Sequence, residues 1–69
     1  PLYGDANCEG EIDISDVVAV RRYLINAIKY PVSADGIKNA DANGDGINAQ
    51  DAVAIQKYVF GITTSVKAA

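Results

Sequence analysis

Two stretches of the chain set oxygen-bearing side chains at alternate positions: DANCEGEIDISD over residues 5–16 and DANGDGINAQD over residues 41–51. A tight turn directs every second side chain toward one centre, and a glycine at the sixth place permits the sharp bend. Such a set suits a hard cation, above all calcium, which accepts roughly 6–8 oxygens in flexible geometry. In the first stretch Asp5, Asn7 and Glu9 stand at places one, three and five, and Gly10 at six. The backbone carbonyl of Glu11 falls at seven, Asp13 at nine, where it acts through a water, and Asp16 closes the loop at twelve. Glu9 departs from the pattern by one methylene. The second stretch supplies Asp41, Asn43, Asp45 and Gly46, and then runs one residue short. Asn48 becomes the ninth-place residue and Asp51 the closing one, with no residue at seven. Either the carbonyl of Ile47 substitutes there or the turn contracts around a less regular site.

Strings of Asp, Asn and Gly are also ordinary turn chemistry. Charge argues for the metal. Of 9 acidic residues, five lie in the first stretch and three in the second, leaving only Asp35 outside. The net charge is −3, and two bound dications would bring it to +1. A lone cysteine, Cys8, and the absence of histidine remove both an internal disulfide and a zinc set. At 69 residues the chain is a single domain. Below roughly 70–80 residues an apolar core seldom suffices unaided, so metal or partner is expected to contribute.

The elements that must position these loops are duplicated too. Residues 5–28 align with 41–63 across one gap, with identities at Asp5/Asp41, Ala6/Ala42, Asn7/Asn43, Gly10/Gly46, Ile12/Ile47, Asp16/Asp51, Val18/Val53, Ala19/Ala54 and Tyr23/Tyr58. Each unit reads as a loop followed by a helix. In the first, Ser15 or Asp16 caps the start, and Val17, Val20, Leu24 and Ile28 recur at helical spacing, widened by Val18 and Ile25. Pro31 lies just past the expected end. In the second, Ala52, Ile55, Val59 and Ile62 make the stripe, widened by Val53 and Phe60, and Gly61 marks the close. Tyr23 and Tyr58 are expected along the interface between the two helices. Residues 29–40 form a linker with room for a short helix from Ser33, which Gly36 weakens. The tail, 64–69, has little to bury and is expected to be loose.

Several function classes fall away. Lys and Arg form no run beyond Arg21-Arg22, which argues against nucleic acid. No apolar run exceeds four residues, as in VVAV at 17–20, far short of the roughly 18 residues of a membrane helix. Catalysis finds no support, because the carboxylates are committed to loops and Ser15, Ser33 and Ser65 have no base in any motif. With no methionine, the chain is expected to be a piece of a longer protein.

A calcium sensor has a helix on both sides of each loop. Here only PLYG precedes the first loop and a Gly- and Pro-containing linker precedes the second, so each unit is half an EF-hand. With the lead-in YGDAN, the duplicated loops, Ile12 and Ile47 after the turns, and closing aspartates, the chain resembles the dockerin module over residues 3 to about 62. The resemblance implies an all-α, dockerin-like fold in which two calcium-loop–helix repeats pack antiparallel with a short helix between. It implies two calcium ions and a secreted, extracellular protein, monomeric when unbound. It also implies calcium-dependent docking into a cohesin, which anchors a parent enzyme or scaffold protein in a cellulosome for plant polysaccharide degradation. Carried over from the family, the contact positions are Ile14, Ser15, Arg21 and Arg22 in the first repeat, and Ala49, Gln50, Gln56 and Lys57 in the second. These pairs differ between repeats, so one face is expected to dominate. The simpler reading of the two arginines is a solvated outer face whose stems cover core. Two competing functions are a structural calcium module that stabilises a neighbouring domain without a partner and, more distantly, a truncated calcium sensor.

Overall fold

The computed structural model describes residues 2–41, 44 and 46–66. Among these residues there are three helices and no strand: α1 (Ile14–Ile25), α2 (Ala34–Ala40) and α3 (Ala49–Val59). The all-α expectation, two loop–helix units joined by a short helix, holds.

The start of α1 lies earlier than the sequence suggested. Its N-cap is Asp13, not Ser15 or Asp16. Extended backbone at Asp13 lets its side chain accept from the Ser15 N–H at 3.0 Å, while the Asp16 carboxylate accepts from the Asp13 N–H at 2.8 Å. Two orphan donors are thereby satisfied reciprocally, the capping-box arrangement. Asn48 and Asp51 repeat it at the start of α3, with Asn48 N–H to Asp51 at 2.8 Å and Gln50 N–H to Asn48 at 2.9 Å.

The helix ends differ between the repeats. α1 stops at Ile25, not near Ile28, because Asn26 turns extended and organises the next residues. Its carbonyl accepts from Tyr30 N–H at 2.9 Å and its side-chain oxygen from Lys29 N–H at 3.1 Å. Ile28 therefore leaves the stripe and is 94% exposed. In α3 the expected closure at Gly61 holds. Gly61 adopts φ 76, its N–H reaches the Tyr58 carbonyl at 3.0 Å, and Ile62 N–H reaches Lys57 at 2.8 Å, the bonding of a Schellman motif.

α2 is capped by Ser33, whose hydroxyl accepts from Gly36 N–H at 3.0 Å. Gly36 is not a weak point in this helix. A Cβ there would lie 2.1 Å from the Ala6 carbonyl oxygen, so glycine is what lets α2 lie against the first loop. Buried Asn39 completes the attachment, donating from Nδ2 to the Asp5 carbonyl at 3.0 Å and accepting from Gly4 N–H at 2.7 Å.

The core forms where α1 meets α3. Val17 and Val20 meet Ala52 and Ile55, joined by Ala6, Ala40 and Val66. Val20 and Ile55 are fully buried, each contributing about 1.5–3 kcal/mol. A surface groove sets Arg21, Leu24 and Ile25 of α1 beside Ala49, Ala52, Val53 and Gln56, so the C-terminal half of one helix runs along the N-terminal half of the other, as in an antiparallel pair. Tyr58 packs against this core, whereas Tyr23 is half-buried outside it. The expectation of a loose tail does not extend to Val66. That side chain is buried against the N-terminal turn, where a Cβ on Gly4 would meet it at 2.9 Å. Residues 67–69 lie outside the described residues.

Candidate functional site

The first loop is organised around two buried carboxylates. Asp5, placed by the Leu2–Asp5 turn, accepts from Glu9 N–H at 3.1 Å and from Gly10 N–H at 2.9 Å. Asp16, in the first turn of α1, accepts from Asn7 N–H at 3.2 Å and from Asp13 N–H at 2.8 Å. Between them Asn7 accepts from Glu9 N–H at 3.2 Å, and its Nδ2 donates to a Glu9 carboxylate oxygen and to Ser15 Oγ. Ser15 Oγ donates to Glu9 at 3.2 Å and also to Asp13. Asp5, Asn7, Glu9, Asp13 and Asp16 are thus joined through one hydrogen-bonded set. Glu11 is exposed. Cys8 sits between these residues with its side chain exposed and its backbone at φ 59, where the second repeat has Gly44 at φ 79.

Electrostatics at Asp16 are informative. Burial chiefly raises its pKa above the ordinary aspartate value, and the nearby negative charges of Asp5 and Asp13 act in the same direction; hydrogen bonds from Asp13 and Asn7 oppose it. A buried carboxylate flanked by like charges favours either a proton or a cation. Among the described residues no three carboxylates or thiols form a metal cage by themselves. The chemistry of the set fits calcium nonetheless, because Asp5, Asn7, Glu9, Asp13, Ser15 and Asp16 bring carboxylate, carboxamide and hydroxyl oxygens into one hydrogen-bonded cluster.

In the second loop Asp41 accepts from Gly44 N–H and Gly46 N–H, each at 3.1 Å. Asn48 and Asp51 are engaged in the α3 capping box. Ile47 is half-buried against the core. Asn43 and Asp45, expected at places three and five, lie outside the described residues.

The expected contact positions are largely on the surface. Ile14, Ser15, Arg21, Arg22, Ala49, Gln50 and Lys57 are exposed, and Gln56 is half-buried. Arg21, Ala49 and Gln56 share the α1–α3 groove, whereas Gln50 and Lys57 line a second groove with Thr63, Ser65 and Val66. Ile14 and Ser15 stand between Asp13 and Asp16, inside the capping box of α1. Sequence reasoning missed two features. Val18, Leu24, Ile25, Val53, Phe60 and Ile62, assigned to the apolar stripes, are 40%, 40%, 84%, 49%, 60% and 68% exposed. Their signal was the width of those stripes, broader than one neighbouring helix can cover. The other feature is Tyr30, whose ring lies 5.3 Å from the Arg22 guanidinium and 5.4 Å from the Lys29 ammonium.

Comparison with known proteins agrees with this geometry. The model of the type I dockerin domain matches residues 3–65. A xylanase/beta-glucanase of Ruminococcus flavefaciens is 37% identical over 68 residues, and this chain spans only 8% of that protein's length. Among solved structures, the complex of the third ScaB cohesin of R. flavefaciens with a group 1 dockerin contains a chain 39% identical, with a TM-score of 0.86 covering 93% of this chain and 94% of that one. A chain from a complex of the sixth scaffoldin B cohesin of Acetivibrio cellulolyticus with a mutant Cel5 dockerin is 37% identical, with a TM-score of 0.77 and coverage of 91% and 96%. One from a type I cohesin–dockerin complex of Clostridium thermocellum is 31% identical, with a TM-score of 0.78 and coverage of 94% of both chains.

Proposed function

Because the chain belongs to the type I dockerin domains, we propose that it is a calcium-dependent, non-catalytic docking module that binds a cohesin. Its role is to anchor a parent protein in an extracellular cellulosome. The parent is a polysaccharide-degrading enzyme on this reading, in keeping with the xylanase/beta-glucanase that carries a similar segment.

Two calcium ions are assigned. Asp5, Asn7, Glu9, the Glu11 carbonyl, Asp13 and Asp16 would hold the first; Asp41, Asn43, Asp45, Ile47, Asn48 and Asp51 the second. Bound calcium supplies the positive charge that these clustered carboxylates otherwise lack. The chain's own residues do the rest. Asp13 and Asp16 fix the first turn of α1, and that turn presents Ile14 and Ser15 to the partner. Arg21 and Arg22 extend the same surface, with Ala49, Gln50, Gln56 and Lys57 as their second-repeat counterparts.

The observation that carries this reading is the position of exposed Ile14 and Ser15 between two residues of the metal loop. A purely structural calcium module has no need of exposed residues at that point. The test is titration of the chain with the third ScaB cohesin of R. flavefaciens and a panel of other cohesins, in calcium and then in chelator. Nanomolar binding that vanishes on chelation supports docking. Failure to bind any cohesin, with calcium demonstrably folding the chain, puts the structural-module reading ahead. Replacing Ile14 and Arg22 together is expected to abolish binding, and an intact complex would mean that the second-repeat face can serve alone.

A further inference from the structure

The docking reading treats Arg22 as a contact residue but leaves open what holds a long, exposed side chain in place. Half-buried Tyr30 lies in the segment that follows α1, and Arg22 and Lys29 approach its ring at 5.3 and 5.4 Å. Both distances are within the about 6 Å over which a ring face attracts a cation. Ala19, Pro31 and Val32 line the same shallow depression, so the ring is set against the flank of α1.

The internal repeat supplies a comparison within the same molecule. Asp16/Asp51 and Tyr23/Tyr58 fix an offset of 35 residues, 51 less 16, which pairs Ala19 with Ala54, Arg22 with Lys57 and Tyr30 with Ser65. Ala54, Lys57 and Ser65 line one groove beside α3. At the matching helix positions the first repeat has an arginine facing a ring and the second has a lysine, and the residue at the offset from Tyr30 is a serine, which has no π face. A planar guanidinium can stack on an aromatic face and still present its donor fork to a carboxylate, which an ammonium cannot do.

We infer that Tyr30 is a positioning residue that holds the Arg22 guanidinium ready for a carboxylate of the partner, and so makes the first-repeat face the dominant one. The inference rests on the docking reading. Its chemistry requires an acidic group on the partner opposite Arg22.

The test measures Kd for the third ScaB cohesin of R. flavefaciens, in calcium, with the unaltered chain, Tyr30→Leu, Tyr30→Phe, Arg22→Ala and the Arg22→Ala/Tyr30→Leu double variant. Leucine keeps apolar bulk over Ala19 and Val32 while removing the π face, and circular dichroism checks that each variant is folded. Tyr30→Leu is expected to weaken binding about two- to fivefold, the worth of one exposed cation–π contact. Tyr30→Phe should restore it, and Tyr30→Leu should add no loss once Arg22 is alanine. An equal loss in both backgrounds overturns the positioning role, as does an unchanged Kd for Tyr30→Leu when Arg22→Ala weakens binding. If the cohesin binds but Arg22→Ala changes nothing, docking stands and the Arg22–Tyr30 role falls. If the folded, unaltered chain binds neither this cohesin nor any other of the panel, both readings fall.

Discussion

Gly36→Ala sets two physical arguments against each other. In an isolated helix alanine is favoured over glycine by about 1 kcal/mol, so helix propensity alone expects stabilisation. The packing of α2 against the first loop expects the reverse. The new Cβ would stand 2.1 Å from the Ala6 carbonyl oxygen, against 3.4 Å for ordinary contact, a shortfall of 1.3 Å. That obstacle is backbone, with no rotamer to yield, and Val32 Cγ1 blocks a second direction at 2.7 Å. α2 must retreat, stretching the Asn39 bonds to the Asp5 carbonyl at 3.0 Å and from Gly4 N–H at 2.7 Å. Overpacking costs about 1–3 kcal/mol and the two weakened hydrogen bonds about 0.5–1.5 each, roughly 2–6 together. Setting the propensity gain against this leaves a net loss of about 1–5 kcal/mol. In a domain of this size that lowers the melting temperature by at least about 4 °C. Because Ala6 stands between Asp5 and Asn7, calcium affinity at the first loop should fall as well. Thermal melts followed by circular dichroism in saturating calcium, with a calcium titration beside them, read both effects. A variant that melts at or above the unaltered chain refutes the claim that α2 rests on the loop through Gly36.

Removing calcium with a chelator at neutral pH should abolish most of the helical circular dichroism, because eight clustered acids then repel one another around a small core; an unchanged spectrum contradicts this. The metal-free chain should respond to pH in the opposite sense from the loaded one. Burial raises the folded-state pKa of Asp16, so its contribution is present below the ordinary carboxylate range and lost as pH rises through the raised value. Metal-free helicity should therefore increase as pH falls from about 7 toward about 4, while the calcium-loaded chain loses helicity as protons displace the metal. A metal-free signal that falls on acidification would rule this out. Ile55→Ala, at a fully buried site, should cost about 2–5 kcal/mol in urea unfolding, whereas Ile62→Ala, at a site 68% exposed, should change stability by less than about 0.5. Equal effects would show that the apolar stripe continues past α3.

The loops, their repetition and the order of elements were legible because they rest on local spacing. Asp5 and Asp41 reveal themselves by the glycine five places on, and Gly61 by ending an apolar run. What sequence could not resolve depended on neighbours. A helical stripe does not say how much of itself a partner helix will cover, so Leu24, Ile25 and Val53 read as core and emerged at the surface. Gly36 read as a defect because its reason, the Ala6 carbonyl, is thirty residues away in the chain. Val66 read as loose because its cover comes from Gly4 and Ile12 at the opposite end. The N-cap was misplaced for a different cause. Ser15 and Asp16 are good capping residues, and only the extended backbone conformation at Asp13 places the cap there instead.

That cap also explains why metal, helix and docking surface should behave as one unit. Counting from Asp13, Ile14 and Ser15 are the first two residues of α1 and Asp16 the third. The capping box that starts the helix and the last four places of the proposed calcium loop are therefore the same residues. Asp16 must serve the N–H groups of Asn7 and Asp13 at 3.2 and 2.8 Å while lying buried near two other carboxylates. Without a cation, that ionised carboxylate satisfies the helix start at an electrostatic cost; with one, the same charge stabilises both. Ile14 and Ser15 have no independent means of reaching the right orientation, because the residues on either side set their backbone. Asn48 and Asp51 reproduce this arrangement around Ala49 and Gln50. The duplication thus supplies two capped turns of the same design, and on the docking reading proposed above the dominance of one face is set beyond the turns, at positions such as Arg22 and Tyr30, where the repeats diverge.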